Sequence, residues 1–257
     1  VSVAGQSNLT ATGTAHTFTI TEGDSYTATV FADASGYESS SATSAACVVD
    51  ADDLLFAAGK GTSEEDAYLV KTATQFNNIN SVAGSGYYYK QAADLIIDAT
   101  HRITGTFTGK YDGNDMTITI NISGVSSDNV GLFSVIGTEE STVKNINISS
   151  SSTVVGANYV GMIAGVNNGT IDNCVTAADS SVTGTSYVGG ICGDNTGTIS
   201  NCTYSGHLYI TGTPATEITA ATAGFGLIAG VNTGTFTDNI ITNAENQEAI
   251  GEAGVAP

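Results

Sequence analysis

Residues that could do chemistry are few in this 257-residue chain, and they are scattered. Three histidines stand at His16, His101 and His207, far apart and outside any H-E-x-x-H pattern. No G-x-S-x-G nucleophile turn occurs, and Arg102 is the sole arginine. Four cysteines, Cys47, Cys174, Cys192 and Cys202, lack the paired C-x-x-C spacing of a metal site. Acids cluster at Asp50, Asp52 and Asp53, at Glu64–Asp66 and at Asp112–Asp115. The first cluster lacks the D-x-D-x-D-G calcium loop, and the last reads as turn chemistry. Glycoside hydrolysis needs two carboxylates at close range. The alignable outer positions Lys144, Asp172, Ser200 and Thr237 contain one acid. A threonine row, Thr142, Thr170, Thr198 and Thr235, could order water. Its neighbouring row is mixed, however, and threonine is common on exposed strands. These residues predict no enzyme, no metal centre and no cofactor.

What must position the remaining candidates is a repeat. YVGMIAGVNNGTIDNC begins at Tyr159, and YVGGICGDNTGTISNC follows 28 residues later at Tyr187. Weaker copies start at Val130 and Phe225. Self-similarity at such a period marks stacked supersecondary units that share one core. Aligned copies give an apolar row of Phe133, Ile163, Ile191 and Ile228, and another of Val143, Ile171, Ile199 and Phe236. A glycine row holds Gly156, Gly184 and Gly212. β-branched runs broken by Gly and Asn predict short strands and tight turns. Asn145, Asn173, Asn201 and Asp238 form a bend row. They would either pass amide hydrogen bonds along the stack or merely tolerate left-handed geometry. Cys174 and Cys202 fall in one row and are expected as buried, reduced thiols.

The pattern V-G-x-I-x-G-x-N-x-G-T-I-x-N-C resembles the GLUG-type repeats of bacterial surface proteins, which also occur beside IgA-protease-like regions. The resemblance runs over about Leu55–Asn243 and includes Phe107, Gly109, Tyr111, Asp112, Gly113 and Asn114 of an F-x-G-x-F-D-G-N-like segment. Asp238 and Asn239 depart from the pattern, so the last copy is expected as a cap open to water. The resemblance implies a non-enzymatic extracellular module for adhesion or scaffolding at the cell surface. Its partner would be a host or microbial glycan or protein. A carbohydrate-active enzyme, lyase or glycosidase, is the alternative.

Six basic against 25 acidic residues give a net charge of −19, which argues against nucleic acid and anionic membranes. No apolar run is long enough to span a bilayer, so no membrane insertion is expected. Val1 opens without a signal-peptide pattern, which predicts an exported chain whose signal lies outside this sequence. Residues 1–50 alternate weakly, with turn signals at Glu22–Asp24 and Ser35–Gly36, and predict a small antiparallel β segment of partial Ig or fibronectin character. Thr72 and Gln75 predict a capping box and a helix from Ala73. Its apolar face would hold Phe76, Ile79 and Val82, and Gly84 and Gly86 would end it. This helix should cover the first strand edge.

The predicted architecture is therefore an all-β, right-handed parallel β-helix over 51–243, with that helical cap, the β segment over 1–50 and a tail over 244–257. Ligand candidates are Tyr159 and Tyr187, which should stack, and the insertion Thr213–Ala223 with Thr213, Glu217 and the following Phe225. If the tyrosines face outward they suit sugar rings or peptide; otherwise they cover the core edge.

Overall fold

The computed structural model describes residues 55–82, 86–211 and 224–242. It also gives the strand backbone of Ser25–Tyr26, Thr29–Ala32, Ser40–Thr43, Cys47–Val48 and Thr216–Glu217. Asp50, Asp52, Asp53, Gly84, Gly212, Thr213 and the tail 244–257, for which the sequence carries expectations, lie outside these residues. Two compact units divide the chain, Val1–Leu55 and Phe56–Pro257.

In the first unit, Ser25–Tyr26 pairs antiparallel with Cys47–Val48, and Thr29–Ala32 with Ser40–Thr43. The second pair flanks the Ser35–Gly36 turn signal.

The second unit is built from parallel ladders. β-branched residues at alternate positions favour extended backbone, and in the repeats the strands Thr142–Lys144, Thr170–Asp172 and Thr198–Ser200 each end at an Asn bend. A single repeat offers only one buried side, so each strand takes its partner from the next repeat. Seven parallel strands run in the order Tyr68–Val70, Tyr88–Gln91, Lys110–Asp112, Thr142–Lys144, Thr170–Asp172, Thr198–Ser200 and Thr235–Thr237. Register lines up one inward row along them, Tyr68, Tyr89, Tyr111, Val143, Ile171, Ile199 and Phe236. A second ladder joins Ile103–Phe107, Phe133–Ile136, Ala164–Asn167, Cys192–Asn195 and Ala229–Asn232. In a third sheet the long strand Thr117–Ile122 pairs with both Asn147–Ile148 and Thr153–Val155 of the following repeat. A fourth, narrow ladder holds Asn158–Val160, Ser186–Gly189 and Phe225–Gly226. The expected all-β architecture with parallel, repeat-to-repeat pairing is thus present.

Register corrects one aligned row. Phe133 pairs with Ala164 rather than Ile163, and that row continues through Cys192 and Ala229. The Val130 copy bridges Val160 and then pairs Val135 with Val166, so it is one residue shorter between those points. The Phe133 ring lies between Ile103 on one side and, on the other, the small side chains of Ala164, Cys192 and Ala229.

The core changes character along the stack. Its early part is aromatic: Phe56 stacks on Tyr68 at 4.5 Å, and Phe76 meets Tyr111 and Phe133 edge-on at 5.4 and 5.6 Å. Later repeats are filled by Ile, Val and cysteine. The Tyr87–Tyr89 triplet contributes Tyr89 to this core. Arg102 is also buried, and its Nη1 donates to Asn129 O, Gly131 O and Ser134 Oγ.

The helix spans Ala73–Asn78, starting where expected, with Thr72 Oγ1 accepting from Gln75 N at 3.1 Å. The return bond differs: Gln75 Oε1 accepts from Lys71 N rather than from the cap residue. The helix also stops earlier than its apolar spacing predicts. Asn80 donates its amide to Asn77 O, Asn77 Oδ1 and Arg102 O, and accepts from Thr104 N. These bonds turn the chain away after Ile79. Phe76 and Ile79 are buried, while Val82 is only partly covered.

Cys174, Cys192 and Cys202 are buried and free. Hydrogen bonding to the Cys202 thiol, then burial, raises Cys174 well above the ordinary thiol range; burial does the same for Cys192. Nucleophilic thiolate is therefore scarce at both sites. Maleimide labelling read by peptide mass mapping should find these three cysteines unreactive in the native protein and fully reactive in denaturant. Rapid native labelling of Cys192, or a Cys174–Cys202 bridge, would contradict the packing.

Candidate functional site

Four residues mark the same corner of successive repeats, Asn129, Tyr159, Tyr187 and Gly224. All lie in the left-handed region, at φ 59°, 55°, 55° and 78°. Asn and Gly enter it readily; a bulky side chain there is an outlier, at about 1–2 kcal/mol. The geometry is imposed by the neighbouring strand. A Cβ on Gly165 would stand 2.5 Å from Asn129 Cα, one on Gly193 2.4 Å from Tyr159 C, and one on Gly230 2.5 Å from Tyr187 C. Three of the four bends thus rest on a glycine, and two of the four carry tyrosine where a smaller residue would fit without strain.

The two rings stack as expected, with centroids 4.8 Å apart and planes 10° from parallel. That spacing is the strand-to-strand distance of a sheet. Tyr159 is half-buried and Tyr187 is 37% exposed, so the strip faces water along one side. A polar row runs beside it, one residue earlier in each repeat. Asn158 Nδ2 donates to Asp128 Oδ1 at 2.8 Å, and Ser186 Oγ donates to Asn158 Oδ1. Carboxylate, amide and hydroxyl therefore lie in line next to a flat aromatic surface. Sequence reasoning missed this row. The signal was present as Asp128-Asn129-Val130, Asn158-Tyr159-Val160 and Ser186-Tyr187-Val188, a polar residue and a bend residue before a buried valine.

The other ligand candidates are not joined to this strip. Phe225, expected beside a ligand, is buried and pairs with Val188 in the inward row. Its position after the Gly224 bend turns it into the core. Thr213 lies outside the described residues. Glu217 belongs to a two-residue strand, Thr216–Glu217, antiparallel to His207–Ile210, so part of the insertion extends a sheet.

The bend row Asn145, Asn173, Asn201 and Asp238 is left-handed throughout, at φ 56°, 49°, 53° and 52°. Both readings of it hold in part. Asn173 Nδ2 donates to Asn145 Oδ1 at 2.9 Å, yet Asn201 turns to Asp172 Oδ1. Asn173 and Asn201 are exposed, so this row contributes less than a buried ladder would. The buried amide ladder stands elsewhere. Asn167 Nδ2 donates to Asn195 Oδ1, and Asn195 Nδ2 to Asn232 Oδ1, each at 2.7 Å, with Asn167 and Asn195 fully buried.

Carboxylates are bound up in fastening corners. Asp172 Oδ1 accepts from Ser200 Oγ and Asn201 Nδ2, and Asp112 Oδ1 from Asn114 N and Asn145 Nδ2. The outer row also reaches further than the alignable repeats indicated, running Lys90, Asp112, Lys144, Asp172, Ser200 and Thr237. Asp194 stands between Val166 and Val231 in another row. Burial raises it above the ordinary carboxylate value. A raised native pKa means that the folded state binds more protons, so this group's contribution falls as pH rises through that pKa. Asp194→Asn should therefore raise the melting temperature at neutral pH, with the gain vanishing below the ordinary carboxylate range. An equal gain at both pH values would rule out the titration.

No family model matches the chain. A 132-residue stretch is 34% identical to "Putative Gly-rich membrane protein" of Evansella cellulosilytica, covering 46% of this chain and 15% of that protein. Another of 123 residues is 32% identical to "Halomucin" of Haloquadratum walsbyi, covering 42% of this chain and 1% of that protein. The chain thus spans a small part of the length of either relative. Among solved structures, "a putative immunoglobulin A1 protease" from Bacteroides ovatus superposes at TM-score 0.43 and 18% identity, over 79% of this chain and 84% of that one.

Proposed function

We propose that this chain is a non-enzymatic extracellular module of GLUG-repeat character that serves adhesion or scaffolding at a cell surface. Its parallel ladders close into a right-handed β-helix, and it binds glycan along the Tyr159–Tyr187 strip. One observation carries the reading. Two tyrosines occupy left-handed bends that Asn or Gly would occupy without strain, and their rings make a stacked, part-exposed surface beside Asp128, Asn158 and Ser186. Strain held at a surface position is a pointer to function. Aromatic faces suit the apolar face of a sugar ring, and the polar row suits its hydroxyls. The similarity to a protein named as a Gly-rich membrane protein supports a surface location. Against the enzyme alternative stands the use of Asp112 and Asp172 as hydrogen-bond acceptors at corners.

The test is a glycan array with a parallel hydrolysis assay, on the parent chain and Tyr159→Asn/Tyr187→Asn. Asparagine keeps the bend, so the variant should melt at the same temperature or higher while losing array binding at least about tenfold. Unchanged binding by the variant, or cleavage of a bound glycan, would overturn the reading.

A further inference from the structure

A second surface, built on different chemistry, lies on the seven-stranded ladder. The whole sequence holds six basic residues against 25 acidic ones, yet Lys90, Lys110 and Lys144 gather round one cleft of about 130 Å³. Register places them there: Lys110 lies beside Tyr88 and Thr142, and Asp112 lies between Lys90 and Lys144. Such spacing holds about four waters, or one small ring or acid group.

The three ammonium groups are not equivalent. Lys144 is neutralised, 2.9 Å from Glu64 and 3.6 Å from Asp112. Lys110 is held over the Tyr88 ring, 5.1 Å from its centroid. Neither Lys110 nor Lys90 has an ion-pair partner among the described residues. Opposite charges facing each other across strands explain Lys144 as a structural fastener. They do not explain two further cations at the same cleft in a chain of net charge −19. Glu64 is informative as well. It reaches Lys144 from 80 residues away in sequence, and its side chain is 60% exposed. A mobile-length carboxylate on an exposed segment thus already occupies part of the cleft.

We propose that this cleft binds a uronate residue of an acidic polysaccharide. The sugar carboxylate lies between the Lys90 and Lys110 ammonium groups, and Glu64 competes with it for Lys144. Tyr88 supplies an aromatic wall and Thr142 a hydroxyl, which suits a sugar ring. Outward hydroxyls continue from the cleft along Thr170 and Thr198, matching a polyol chain. Phosphate is the poorer fit, because the paired strand face presents no nest of converging backbone N–H groups of the kind phosphate sites use. The site is independent of the tyrosine strip and does not rest on it.

Tetragalacturonate is the probe, titrated into the whole chain at physiological ionic strength with calorimetry and NMR shift mapping. Maltotetraose and tetraglutamate are the neutral and peptide controls. Tetragalacturonate should shift the signals of Tyr88, Lys90, Lys110 and Thr142, and maltotetraose should not. Lys90→Gln/Lys110→Gln should weaken binding about tenfold or more, and Glu64→Gln should tighten it several-fold. Tyr159→Asn/Tyr187→Asn should leave it unchanged. The proposal is overturned if these signals do not move, or if the double lysine variant binds as the parent does. Equal binding of tetraglutamate would overturn the sugar assignment, and loss in the tyrosine variant would move the site to the strip. A Glu64→Gln variant with unaltered affinity would remove the competing role of Glu64.

Discussion

Asn195→Ala should lower the melting temperature by roughly 6–10 °C, equivalent to about 3 kcal/mol for a domain of this size. The side chain is fully buried and serves both neighbours: its oxygen accepts from Asn167, and its amide donates to Asn232 and to Gly197 O. Truncation removes a donor from Asn232 Oδ1, an acceptor from Asn167 Nδ2 and the packing of a fully buried side chain. Buried polar groups without partners cost far more than a hydrogen bond contributes on average. Asn173→Gly is the control. It keeps the left-handed bend at φ 49° and removes an exposed side chain, so it should shift stability by less than about 0.5 kcal/mol. Equal shifts in the two variants would show that burial does not distinguish the two asparagine rows.

The second large effect belongs to Gly193→Ala. The added Cβ would stand 2.4 Å from Tyr159 C and 2.6 Å from both Tyr159 Cα and Val160 N. All three are backbone atoms of a paired strand, so no side chain can swing aside. Overpacking of this kind costs about 1–3 kcal/mol and should displace the Tyr159 bend from its partner ring. Melting temperature and glycan binding should therefore fall together. Gly105→Ala separates this from a general intolerance of substitution in strands. The nearest atom to its added Cβ is Asn80 Oδ1 at 3.9 Å, so stability should hold or rise slightly. A neutral Gly193→Ala variant would mean that the bend does not rest on that glycine.

Asp112 and Lys90 illustrate what periodicity could not reach. The four alignable copies of their row begin at Lys144 and contain one acid, Asp172. The two preceding strands belong to segments that have lost the repeat's wording but kept its register. Pairing is a backbone property, and the side-chain pattern need not survive for the ladder to continue. The same reasoning explains Phe133, where one residue fewer in the segment pairs it with Ala164 although the wording alone aligns it with Ile163.

What the sequence by itself determined is the alternation of short strands and bends and their repeat. Strand and turn preferences are local, and a 28-residue recurrence brings equivalent residues to the same face. Tyr159 on Tyr187, Cys174 beside Cys202 and the left-handed bend row all follow from that arithmetic. Which asparagine row is buried was decided by tertiary structure, because both rows recur with the same period. Burial depends on the side of the strand that faces the shared core: Asn167 and Asn195 turn inward, while Asn173 and Asn201 sit at a corner in water. Tertiary structure also decided that Phe225 points inward and that three lysines meet at one cleft. Those placements depend on pairing between residues 20–40 positions apart, and one sequence window carries no information about which partner the next strand will choose.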